Sequence, residues 1–167
     1  RGGYQPFVVH FYHTRDEYVQ RLQKKYPEIA QMATNGLYDA DDRVIYSFFN
    51  PDDNTEATLF HEATHQMFAE SRARNWQIGE SENFWIVEGI ACYLESFQPQ
   101  SNGYSVSDPR YLRFEVARYL LSVESYYLPL AKLAGMGKQE FQRHPRISNN
   151  YSQSSGLVHF LMHYDDG

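Results

Sequence analysis

The chain has 167 residues, 16% of them aromatic, with a charged fraction of 22%. That balance excludes a disordered chain and is enough for a real hydrophobic core. A net charge of −6 gives no electrostatic basis for binding nucleic acid or an anionic membrane, and a single cysteine, Cys92, excludes both a disulfide framework and a cysteine-rich zinc site.

No apolar run approaches the roughly 18 residues that cross a bilayer, and no signal peptide is visible. The chain opens Arg1-Gly2-Gly3 without a Met, so we expect a processed or excised piece of a longer protein, with an extracytoplasmic or secreted location favoured. Residues 1–167 are expected to form one domain.

In chain order, Gln5 to Thr14 is rich in β-branched and aromatic residues and is predicted to be a strand. Its His10 and His13 fall on opposite faces of such a strand, which assigns both a structural role. Arg15 to Tyr26 is predicted to be a helix, with Thr14 and Glu17 as a capping box and Pro27 as the stop. Asn35-Gly36 signals a turn. Leu37-Tyr38 and Arg43 to Phe49 then form a predicted hairpin around Asp39-Ala40-Asp41-Asp42, an acidic loop read as solvated turn chemistry rather than a Ca²⁺ site.

The next helix, capped by Asp53 with Glu56 or by Asn54 alone and running to about Glu70, carries His61-Glu62-Ala63-Thr64-His65. Residues four apart on a helix point the same way, so two neutral imidazoles can each give a nitrogen to one Zn²⁺. Glu62 stands beside that point, where a general base for the activated water belongs. Leu59, Phe60, Ala63, Met67 and Phe68 form an apolar band expected to bury this helix, and a metal gives buried histidines a reason to be there.

Ser71 to Ser81 is predicted to be a connecting loop, and Asn83 to Glu95 a second apolar helix with Glu88 at its centre. A carboxylate among Ile86, Val87 and Ile90 calls for a cation, which makes Glu88 the best-placed third ligand for a two-histidine site. Glu95 is expected to end that helix exposed, and Cys92 to be a buried packing residue. Gln98 to Val106 is predicted to be a loop, and Asp108-Pro109 to open a scaffold helix through about Glu124 with Leu112, Val116, Tyr119 and Leu120 on its apolar face. Short helices are predicted within Tyr127–Met136 and Lys138–Arg143, and a last helix over Tyr151–His163. His159 and His163, four apart on it, are a rival metal pair without an intervening base.

The composite His-Glu-x-x-His … Trp-x-x-Glu-Gly-x-Ala-x-Tyr resembles the gluzincin zinc metallopeptidases, and more closely the bacterial peptidase-MA-like domains, from roughly Ile45 to His163 in motif order. The resemblance implies a zincin-like α+β domain, mainly helical with a small N-terminal mixed β-sheet, that hydrolyses a peptide or protein substrate. It implies zinc ligands His61, His65 and Glu88, the base Glu62, close-packing small residues Gly89 and Ala91, and Tyr151 as the tyrosine that steadies the oxyanion. It also implies an edge strand ahead of the zinc helix that pairs with substrate backbone, for which Val44–Ser47 is the expected segment. The Gly-x-Met-Glu-Asn type stretch that holds a free amine in zinc aminopeptidases has no counterpart here, so aminopeptidase activity is not implied. A second reading is a non-catalytic zinc-binding or scaffold module of a larger envelope protein.

Overall fold

A computed structural model of the protein describes residues 6–71 and 78–166, and the chain divides into two compact units, Arg1–Arg72 and Ala73–Gly167. About half of the chain is helical and the class is α+β. No helix among the described residues is long and apolar enough to cross a membrane.

In the first unit, β1 (Val8–Tyr12), β2 (Gly36–Asp39) and β3 (Val44–Phe48) form a mixed sheet in the order β1-β3-β2, parallel between β1 and β3 and antiparallel between β2 and β3. The expected edge strand Val44–Ser47 is therefore the central strand, because both neighbours pair with it. Helix α1 (Arg15–Leu22) starts at the expected capping box, with Thr14 and Glu17 exchanging their bonds. It ends at Leu22 rather than Tyr26, where Pro27 already disfavours helical backbone in the preceding residue. Its Tyr18 and Leu22 pack with Ile29, Tyr46 and Phe48 into this unit's core. Strand alternation sends Ile45 and Ser47 to the opposite face, and α2 (Thr55–Glu70), capped by Asn54 alone, packs against β2 and β3.

The acidic turn between β2 and β3 closes around the ammonium of Lys25, which lies 2.5 Å from Asp39 and 3.1 Å from Asp42. Asp39 is buried and also accepts the backbone N–H groups of Asp41 and Asp42 and the Tyr26 hydroxyl.

The second unit is built on α3 (Phe84–Leu94), followed by a short hairpin of β4 (Gln98–Gln100) and β5 (Gly103–Ser105), then α4 (Leu112–Ser122), α5 (Leu130–Gly135), α6 (Lys138–Gln142) and α7 (Ile147–His163). Part of the expected loop over Gln98–Val106 is thus a two-stranded ladder, turned by Ser101-Asn102 and a Gly103 at φ +138°. Of the expected loop over Ser71–Ser81, residues 72–77 lie outside the described residues. Phe84, Trp85, Tyr93, Phe114, Leu128, Leu133, Met136, Phe141 and Val158 form the core.

Helix α4 begins at Leu112 instead of Pro109, and the Asp108 carboxylate closes the preceding turn, accepting the Arg110 backbone N–H and guanidinium. Its core positions are Phe114 and Leu120, while Leu112 and Tyr119, expected to face inward, are exposed. Helix α7 starts four residues early and draws Ser148, Asn149 and Asn150 into its first turn, where the buried Asn150 accepts a bond from the Tyr126 hydroxyl at 2.7 Å.

Candidate metal centre

Helix α2 brings His61 and His65 together as the spacing requires. Their Nε2 atoms lie 3.0 Å apart, both rings half-buried and their planes crossed at 75°. At this distance one ring N–H can donate to the other ring's nitrogen. Two ligands of a tetrahedral zinc stand about 3.3–3.4 Å apart when each bond is about 2.0–2.1 Å, so the rings would open by a few tenths of an ångström to share one ion. Within this unit His61 and His65 offer two imidazole nitrogens, donors of the kind that hold a metal.

The burial of α2 follows the expected band only in part, with Leu59, Phe60 and Phe68 half-buried. Ala57, Glu62, Thr64 and Gln66 are the buried residues, whereas Ala63 is exposed and Met67 is 46% exposed. Polar groups occupy the inward face because the sheet supplies their partners. Glu62, 9% exposed, accepts the Tyr38 backbone N–H on Oε2 at 2.7 Å. Gln66 donates to the Arg43 carbonyl and to Glu70, and Thr64 donates to the Phe60 carbonyl at 2.7 Å. Glu70 closes the set, pairing with Arg43 and accepting the Tyr38 hydroxyl at 3.3 Å.

Charge follows this arrangement. The Arg43 guanidinium holds the Glu70 carboxyl below the usual range, and burial followed by the Glu70 charge pushes the Tyr38 phenol up to about 12. The fully buried Tyr18 phenol is pushed well above its ordinary value, first by burial and then by the negative charge of Glu62.

In the second unit Glu88 lies on α3 and is buried, 3% exposed. The next residue, Gly89, sits against α7, where an added Cβ would stand 2.9 Å from the Ser154 carbonyl oxygen and 2.8 Å from Val158 Cγ2. Tyr151, on α7, packs edge-on against Phe141 at 5.5 Å between ring centroids and beneath the Arg113 guanidinium at 5.8 Å. Glu95 is not exposed as expected. It is buried and paired bidentately with Arg113, and it accepts the Tyr111 hydroxyl at 3.0 Å. Cys92 is buried.

The rival pair behaves differently. His159 and His163 have ring centroids 4.8 Å apart, the same as His61 and His65. Their Nε2 atoms, however, turn to separate partners, the Ser107 carbonyl at 3.4 Å and the Tyr93 hydroxyl at 2.9 Å. Burial pushes the His159 imidazole below its ordinary value.

Sequence reasoning missed Gly36, Tyr38 and Glu70 as neighbours of the motif helix. One signal was available: a glycine in a strand can mark a close approach of another element, and Gly36 opens β2 directly against Thr58 and Glu62. Compared with family models, with curated proteins and with solved structures, the chain finds no match in any of the three.

Proposed function

We propose that this chain is a zinc-dependent metallopeptidase of the gluzincin type, with a zincin-like fold, whose ion is held by His61, His65 and Glu88. The observation that carries the reading is the approach of two imidazole Nε2 atoms to 3.0 Å on a helix whose Glu62 carboxylate accepts the Tyr38 N–H. Zinc bound there supplies Lewis acidity towards a peptide carbonyl and makes water a nucleophile near neutral pH.

The chain's own residues do the rest. His61 and His65 present neutral nitrogens from one rigid helix. The Glu62 carboxylate takes the proton of the attacking water and delivers it to the leaving amine, the task of a general base that becomes a general acid. Tyr151 is proposed to donate its hydroxyl proton in a hydrogen bond to the developing oxyanion. Glu62→Gln keeps the side-chain shape but cannot accept that proton, so peptide hydrolysis should vanish while zinc stays bound. Retained hydrolysis in that variant would rule out this role for Glu62.

One observation favours the second reading, a non-catalytic zinc-binding or scaffold module of a larger envelope protein. Glu62 already has a structural task, accepting the Tyr38 N–H, so its presence alone does not require catalysis. Stoichiometric zinc with no cleavage across a broad peptide library would select the scaffold reading.

A further inference from the structure

The neighbour that fixes Glu62 is a strand. Tyr38 sits on β2, the edge strand on that side of the sheet, and its N–H donates to Glu62 Oε2 at 2.7 Å. Two residues earlier, a Cβ added to Gly36 would stand 2.7 Å from Thr58 Cγ2, 3.0 Å from Glu62 Cγ and 3.5 Å from Glu62 Oε1. Separations below about 3.0 Å to carbon are not tolerated without movement. The strand can lie this close to the helix only because residue 36 has no side chain. A second fastening lies two turns along α2, where Glu70 accepts the Tyr38 hydroxyl.

We propose that β2 is a positioning element for Glu62: the Tyr38 N–H holds the carboxylate, and Gly36 permits the approach that makes the bond. Its catalytic consequence rests on the peptidase reading, whereas the contact itself does not. A carboxylate on a flexible stem samples several orientations. A charge-assisted bond from a backbone N–H favours one of them. A base misplaced by about 1 Å loses on the order of 100-fold in rate.

The contact is tested by amide hydrogen exchange at Tyr38 in the whole chain, wild type against Glu62→Ala. Loss of the acceptor should speed exchange at Tyr38 about ten-fold while the β3 amides are unchanged. Equal exchange in the two proteins would overturn the proposal, whatever the enzyme does.

The consequence is tested with Gly36→Ala and with Gly36→Ala/Thr58→Ser. The second variant removes the Thr58 methyl that meets the new Cβ but leaves the encounter with Glu62. The double variant should regain melting temperature relative to the single one, yet kcat should stay several-fold below wild type with KM and zinc content unchanged, because Glu62 must still give way to the new Cβ. If the double variant regains kcat along with stability, Gly36 is merely structural and the proposal fails. A wild type that cleaves no peptide defeats the peptidase reading instead, and the exchange measurement still decides whether Tyr38 holds Glu62.

Discussion

His61 and His65 turn their Nε2 atoms to within 3.0 Å of one another across one turn of α2. A sixteen-residue helix with an Asn54 cap and a buried polar face carries both rings, which is the arrangement the proposed zinc site needs. Zinc binding by such a pair requires both imidazoles to be neutral. If the proposed zinc drives peptide hydrolysis, chelation should abolish it and added Zn²⁺ should restore it; activity that survives exhaustive chelation would contradict a metal-dependent reaction.

The Glu95–Arg113 pair ties α3 to the start of α4. Arg113→Met strands a buried carboxylate. Because the arginine side chain is one-third exposed, the expected loss is about 2–3 kcal/mol, below the range for fully buried pairs. Denaturant unfolding measures it. Combining Arg113→Met with Glu95→Leu should recover most of the loss, since the uncompensated charge is then gone.

Gly89→Ala places a methyl group against backbone and a branched side chain, neither of which yields easily. Overpacking of this kind costs about 1–3 kcal/mol, and the carbonyl at 2.9 Å puts the expected value at the upper end. Thermal melting of the variant checks it, and an unchanged melting temperature would show that α3 and α7 separate at little cost.

Asp39 gives a pH dependence with a defined sign. Burial alone would raise its carboxyl, but Lys25, the Asp42 N–H and the Tyr26 hydroxyl outweigh burial and hold it below the usual value of 3.8. A carboxyl depressed in the folded state stabilises fully above its unfolded pKa and loses that contribution as pH falls through the folded value. Urea midpoints should thus fall below about pH 4 more steeply in wild type than in Asp39→Asn. At neutral pH the substitution should cost about 1–3 kcal/mol, because it weakens several bonds to a buried acceptor.

The parts legible in the sequence are those whose causes are local. The Thr14–Glu17 capping box, the Asn54 cap and the i, i+4 histidines each depend on residues within one turn. The inward face of α2 was illegible because Glu62, Gln66 and Glu70 find their partners 23 to 32 residues away, at Tyr38 and Arg43. Apolarity pointed to Ala63 and Met67, but hydrogen bonding to the sheet decided which side was buried. Glu95 was misplaced for the same reason, since the arginine that allows its burial lies 18 residues on. The register of α4 followed Phe114, whose ring packs against Tyr111, Tyr93 and His159.

Elemental analysis of protein purified without chelator reads out the zinc proposed on His61, His65 and Glu88. Wild type and Glu62→Gln should each hold about one zinc per chain, while His65→Ala and Glu88→Ala, folded by circular dichroism, should lose it. A folded wild type that holds no zinc and takes none up from excess Zn²⁺ would contradict the account, leaving His61 and His65 as packing residues of α2.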